Sequence, residues 1–296
     1  MIYTNDLNLP PAVVAAVNSD EYDAGGADIS VTGLIGPPRM RIMNQKHGHE
    51  AKIDVSRRLF ALLGTAMHKL MEHGDDPSDI VKEERIFSEH MGWSISGQID
   101  RAESGAQGVT IYDYKLAAAR AVVDEKAEWS QQLNLYRWLY AQEYGHWPKA
   151  KIIVIIRDWI AAKAREVEGY PQTPMVVIPV PSWPEIKIMS YLSRRVQLHQ
   201  DAQALFDRTG EIVHCTSEDR WARADVWAAR TVRRKAALSL HPTREAAEKV
   251  SGMDHVEYRP GVQVRCEDWC QFKDFCEQFK AIKEQQEMTQ METQIE

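Results

Sequence analysis

Two periods organise the apolar positions of the chain. From Asp54 to His73, Val55, Leu59, Leu62, Leu63, Ala66, Met67 and Leu70 recur at helical spacing, which predicts an amphipathic helix. Three strand-like segments follow: Ile80 to Glu89, Trp93 to Arg101 with alternating Trp93, Ile95, Gly97 and Ile99, and Val109 to Leu116. Glycine and polar residues separate them, so an antiparallel meander is expected. A helix from Glu125 to Tyr144, an apolar strand from Ala150 to Ile156 and a strand from Met175 to Val180 come next. That strand, helix, strand succession implies one parallel pairing, because parallel neighbours need a long crossover.

The flanks read differently. Ser30 to Met43 predicts a short helix broken at Gly36-Pro37-Pro38, and Pro181 to Asp207 a long one opening with Ser182 as cap ahead of Pro184. Beyond Glu211 the composition changes: an aromatic and basic stretch, WARADVWAARTVRRK, is followed by a short strand-like KAALSL, a helix near Thr243 to Val250, and a group of cysteines. The tail EQQEMTQMETQIE is polar and expected to fray. The expected organisation is a core over 1–210 with an N-terminal helical segment, a C-terminal appendage over 211–282, and a polar tail over 283–296.

With 296 residues and 44% hydrophobic content the chain can bury a sizeable core. A net charge of -7 argues against a protein that coats nucleic acid through sheer basicity. It leaves room for an enzyme whose site gathers carboxylates around cations and meets phosphate along a local basic track. No apolar run approaches the roughly 20 residues that span a bilayer, and the opening MIYTNDLNLPP lacks the pattern of a secretory signal. A cytoplasmic location is expected, and with it no structural disulfides between Cys215, Cys266, Cys270 and Cys276.

The chemistry concentrates in Ile111-Tyr112-Asp113-Tyr114-Lys115, preceded by Gly97-Gln98-Ile99-Asp100. Residues two apart on a strand share a face, so Asp113 and Lys115 emerge together while Tyr112 and Tyr114 point away. If the preceding strand pairs with this one, Asp100 reaches the same edge. Carboxylates that fix a divalent cation, and a lysine that orients water or offsets charge, are what phosphodiester hydrolysis needs. Alone, D-x-K is a weak motif and reads first as a surface or edge-strand ion pair. Its company is the argument: His68 lies in Gly64-Thr65-Ala66-Met67-His68, with Glu72 one turn later, and Gln132 and Tyr136 sit four apart on the following helix.

The ordered series G-x-x-x-H, G-x-x-D, D-x-K and Q-x-x-x-Y, from Gly64 to Tyr136, resembles the nuclease domain of the RecB-like branch of the PD-(D/E)xK superfamily, which includes the CRISPR adaptation nucleases and phage exonucleases. The segment SVTGLIGPPRMRIM and the block from Cys215 to Cys276 also look like parts of phage RecB-like exonucleases. The resemblance implies an α/β, restriction-endonuclease-like fold with a central mixed sheet of roughly five strands flanked by helices. It implies a DNA exonuclease dependent on Mg²⁺ or Mn²⁺, acting in phage recombination or DNA processing in the host cytoplasm, with a single-strand annealing or other recombination protein as partner. His68, Asp100 and Asp113 become metal ligands with the Tyr114 carbonyl as a fourth, Lys115 the catalytic lysine, and Gln132 with Tyr136 its support. Glu83 and Glu84 are not separated without the strand register. No G-x-x-x-x-G-K-[ST] motif accompanies the series.

Cys266, Cys270 and Cys276 lie within eleven residues, and Cys215 supplies a fourth thiol from a distant segment. Four thiolates suit zinc or an iron-sulfur cluster, and small buried cysteines are the alternative. Several RecB-like nucleases carry a 4Fe-4S cluster on three C-terminal cysteines and one that precedes the nuclease motifs. Here the fourth cysteine follows the motifs, leaving zinc, a cluster or no metal open. Arg220, Arg223, Arg230, Arg233, Arg234 and Lys235, beside Trp221 and Trp227, read either as a face for single-stranded DNA or as a solvated hairpin. Two other functions compete with a nuclease: a non-cutting protein of the same fold that binds DNA or a recombination partner, and a zinc-dependent binding module in the C-terminal block.

Overall fold

The structure, a computed structural model, describes residues 1–19, 25–74, 78–124 and 126–295. Its elements in chain order are β1 (Ile2–Thr4), α1 (Pro11–Asn18), β2 (Ile29–Ser30), α2 (Val31–Ile35), α3 (Pro38–His47), β3 (Lys52–Asp54), α4 (Leu59–Glu72), β4 (Asp79–His90), β5 (Trp93–Gly105), β6 (Gly108–Ala117), α5 (Ala119–Val123), α6 (Ala127–Tyr144), β7 (Lys149–Ile156), α7 (Ala161–Glu166), β8 (Met175–Pro179), α8 (Glu185–Thr209), β9 (Val226–Arg230), β10 (Ser239–His241), α9 (Arg244–Glu248), β11 (His255–Arg259) and α10 (Glu277–Ile295). They form two compact units, one of Met1–Pro38 with Lys52–Arg208 and one of Arg39–Ala51 with Thr209–Glu296. No helix among the described residues is long and apolar enough to cross a membrane.

The first unit is α/β, built on a mixed six-stranded sheet. β4, β5 and β6 form the expected meander, and β6 and β7 the expected parallel pair, from Thr110 opposite Lys149 to Ala117 opposite Ile156. α6 makes the crossover; its expected start, Glu125, lies outside the described residues. β8 closes one edge antiparallel to β7, and the two-residue β2 adds a strand parallel to β5. β5 is therefore shared. Its first half pairs with β2, and β6 takes over further along, beginning at Arg101 opposite Tyr112.

α6 is buried from Gln132 to Tyr140, and Leu133, Leu135 and Leu139 enter the same core as Ile95, Ile99, Ile111 and Ile152. A helix buried on every side must satisfy its polar residues internally. Asn134 does so by donating to the Pro181 carbonyl (3.1 Å) and accepting from the Trp183 amide (2.9 Å), and Arg137 by donating to the Pro148 carbonyl (2.7 Å) and the Asn134 Oδ1 (2.8 Å). These bonds hold 181–183 outside the helix. The long helix accordingly starts at Glu185, and Ser182 is not its cap.

α4 departs from expectation in its packing. Its apolar residues recur at helical spacing, yet only Met67 is buried, while Phe60 is 53% and Leu70 71% exposed. The helix rests on β6 and α1, a seat narrower than the apolar stripe. Val55 is buried one turn earlier, in a 3₁₀ turn whose entry Asp54 caps by accepting from the Ser56 amide.

The second unit holds a three-stranded antiparallel sheet, β10-β9-β11, and a small core of Met43, Ala51, Phe272 and Cys276. The tail is helical as α10, against the expected fraying. Lys283 pairs with Glu267 (2.6 Å) and Gln286 donates to the Gly261 carbonyl (2.8 Å), tethering its first half.

Candidate active site

β5 and β6 part just beyond the Arg101/Tyr112 pair, and the site opens there. The Asp100 carboxylate replaces the lost ladder contact by accepting from the Tyr114 amide at 2.7 Å. Alternation on β6 sends Tyr114 to the α4 side, where its ring meets His68 edge-on at 5.8 Å, and Asp113 with Lys115 to the α6 side. Lys115 Nζ lies 3.0 and 2.8 Å from the two Asp113 oxygens. Gln132 Nε2 donates to Asp113 Oδ1 (3.2 Å) and to the Tyr136 hydroxyl (2.9 Å).

His68 Nδ1 is 3.5 Å from Asp100 Oδ2 and 3.4 Å from Glu83 Oε1. Among the described residues, His68, Glu83 and Asp100 are the three metal-ligating side chains whose donor atoms all lie within 4.8 Å of one another. Glu83 is the residue the sequence could not separate from Glu84. Register decides it: Lys82 pairs with Arg101 and Glu84 with Ile99, leaving Glu83 opposite Asp100. Glu84 turns the other way and accepts from the Tyr144 hydroxyl at 2.9 Å. Glu72 is solvent-exposed on α4.

The electrostatics are those of carboxylates crowded around one imidazole. Burial, then the charge of Asp113, pushes Asp100 up to about 7. Burial lowers the His68 pKa, but Glu83, Asp100 and Asp113 outweigh it and the net shift is upward. Hard oxygen donors with one imidazole suit Mg²⁺ or Mn²⁺.

Gly97 explains one feature of the motif series. A Cβ there would stand 2.6 Å from Leu139 Cδ1 and 2.8 Å from Tyr136 Cε1, so the bare backbone lets α6 approach closely enough for Gln132 to reach Asp113. The glycine of G-x-x-D and the tyrosine of Q-x-x-x-Y meet in one contact.

In the second unit, Cys215 is held by Gln278, which accepts from its amide and donates to its carbonyl, both at 2.8 Å. Arg39 donates to the carbonyls of Ile212 (3.0 Å) and Val213 (2.8 Å) and to Cys276 Sγ (3.3 Å). Burial, then Asp219, pushes Cys215 up to about 12; burial, then Cys270 and Cys276, pushes Cys266 up to about 11. The basic stretch divides. Arg220 is spent internally on Gln263 and the Cys215 carbonyl, Arg230 pairs with Glu257 (3.1 Å), and Trp227 packs on Tyr258. Arg233, Arg234 and Lys235 are exposed at the β9-β10 turn.

The chain belongs to the PD-(D/E)XK nuclease superfamily, whose family model matches residues 45–277. Among solved structures, that of SSO0001 is 17% identical, covering 63% of this chain and 84% of its own, with a TM-score of 0.43. A structure named "Putative exonuclease" from Eubacterium rectale is 11% identical, covering 58% of this chain and 63% of its own, with a TM-score of 0.29. No curated protein sequence matches the chain.

Proposed function

We propose that the protein is a DNA exonuclease of the RecB-like branch, dependent on Mg²⁺ or Mn²⁺ and serving phage DNA recombination or processing. The observation that carries this reading is the pair of contacts where β5 and β6 part: His68 lies 3.5 Å from Asp100, whose carboxylate accepts from the Tyr114 amide, and Lys115 lies 2.8 Å from Asp113, the residue before Tyr114. His68, Asp100, Asp113 and the Tyr114 carbonyl would hold the cation. When bound it supplies Lewis acidity toward the scissile phosphate and acidifies water. Lys115 offsets charge in the transition state and orients the attacking water by donating to its oxygen. Gln132, backed by Tyr136, fixes the Asp113 carboxylate against Lys115. Incubating the purified protein with end-labelled linear and closed circular DNA, with Mg²⁺, Mn²⁺ or EDTA, tests the reading. Loss of linear DNA alone, only with metal, is the expected result; DNA bound but intact under all conditions would favour the non-cutting alternative.

The four cysteines are proposed as the seat of zinc or a 4Fe-4S cluster because all four lie in one unit with Arg39 beside Cys276, although no three of their thiols lie within 4.8 Å of one another as the donors of His68, Glu83 and Asp100 do. The metal's contribution would be structural, pinning Cys215 to the C-terminal cysteines.

DNA contact outside the site falls to the β9-β10 turn. Asp254 accepts from the Thr231 hydroxyl (2.7 Å) and the Val232 amide (2.8 Å), and Arg230 donates to the Lys235 carbonyl (2.8 Å), so the turn is built and presents Arg233, Arg234 and Lys235 around Val232, itself 82% exposed. Replacing these three cations by alanine is expected to weaken DNA binding in EDTA and to flatten its dependence on log salt by roughly 2 to 3, one counterion per phosphate contact. An unchanged slope would remove the turn from the DNA interface.

A further inference from the structure

Glu83 has a backbone conformation that its residue type rarely adopts. Its φ is +46°, in the left-handed region, within β4 and directly opposite Asp100. Opposite residues of an antiparallel pair share a face, so the register puts the Glu83 carboxylate on the side of Asp100, with Oε1 3.4 Å from His68 Nδ1. Such backbone settings persist where surrounding contacts over-determine them.

Those contacts are present. Gln98 Nε2 donates to Glu83 Oε2 at 2.7 Å, and Arg85 Nη2 donates to Gln98 Oε1 at 2.9 Å. Arg85 Nη1 lies 3.3 Å from Ser96 Oγ, and the arginine stem crosses Gly25 so closely that a Cβ there would stand 2.5 Å from Arg85 Cδ. The order of donors matters. Because the guanidinium can only donate, it captures the carboxamide oxygen and turns the amide nitrogen toward Glu83. Glu83 Oε2 is thereby occupied, and Oε1 is left facing His68 and Asp100. Gln98 is the second residue of the G-x-x-D motif, a position to which the motif assigns nothing.

We propose that Glu83 is a further ligand of the catalytic cation and that Arg85 and Gln98 form a relay that positions it. This rests on the metal-dependent reading above. Without the relay a carboxylate beside two others would swing away from them in the metal-free state and would have to be recovered on each binding event. With it, the ligand set is held ready, as outer hydrogen-bond partners do for metal-binding carboxylates.

The test is Mn²⁺ binding to the full-length protein by calorimetry and by loss of the free-ion electron paramagnetic signal, for wild type, Glu83→Gln and Gln98→Met. Melting curves in EDTA report whether each variant folds. Both variants are expected to fold, to bind Mn²⁺ about tenfold or more weakly, and to recover cleavage as Mn²⁺ is raised, with the KM for DNA unchanged. Wild-type affinity in Glu83→Gln would overturn the ligand; weakened Glu83→Gln beside an unaffected Gln98→Met would overturn the relay. A wild-type protein that binds no Mn²⁺ would instead sink the metal reading itself, and this inference with it. The outcomes are distinct.

Discussion

Lys115→Ala is expected to lower cleavage of linear DNA by on the order of 10²- to 10³-fold, the usual cost of removing one group that stabilises transition-state charge. The reason lies in its setting: among the described residues the ammonium is the cation paired with Asp113, at 2.8 Å, and it stands on the same strand face, while the other side chain bonded to Asp113, Gln132, is neutral. The same substitution leaves the buried Asp113 with only that amide, so the metal-free fold should lose about 1–3 kcal/mol. Added Mn²⁺ should restore the melting temperature but not the activity. Single-turnover cleavage and melting with and without Mn²⁺ measure both; activity within a few-fold of wild type would remove Lys115 from the chemistry.

Stability of the metal-free protein should fall as pH rises from about 4 to above 7. Asp100 is held up to about 7 in the fold against 3.8 in the open chain. Between those values the folded state keeps a proton that the unfolded state has released, which favours folding at the acid end and is lost as pH passes the folded value. At about 1.4 kcal/mol per pKa unit the loss is up to about 4 kcal/mol for this nearly buried group. His68 acts with the same sign: its raised pKa adds stability below 6.5 that disappears as pH climbs through the folded value. Metal binding needs both deprotonated, so Mn²⁺ affinity should rise over the same range with proton release. Melting in EDTA at successive pH values, for wild type and Asp100→Asn, checks this. A flat wild-type profile, or a slope undiminished by the asparagine, would contradict it.

Much of the site was legible because strand alternation is a rigid rule. Asp113 and Lys115 had to share a face, and the pairing of the two strands had to bring Asp100 near them. Glu83 was not legible. Its place depends on the β4-β5 register, which sets it, and not Glu84, opposite Asp100. The α4 spacing predicted a helix correctly, but periodicity does not say which of its apolar positions the neighbours cover, so Leu63 and Leu70 were not foreseen as exposed. Ser182 misled for a related reason: cap chemistry is local, whereas Asn134 and Arg137 claim that segment from a distant helix. In the basic stretch, composition could not tell Arg220 and Arg230, used inside the fold, from the free cations of the turn.

The bonds from Asn134 and Arg137 to Pro148, Pro181 and Trp183 also govern how the first unit breathes. If 181–183 lifted away by itself, it would strand an amide oxygen and part of a guanidinium in a place water does not reach, and that expense forbids partial detachment. The strap and the crossover helix should therefore exchange their amide protons together, in the slow class set by global unfolding, as one cooperative block. Gln132 lies in that block, so the support of the Asp113 carboxylate is drawn from the most slowly opening part of the molecule, while the cations that would greet DNA sit on a turn exposed to solvent.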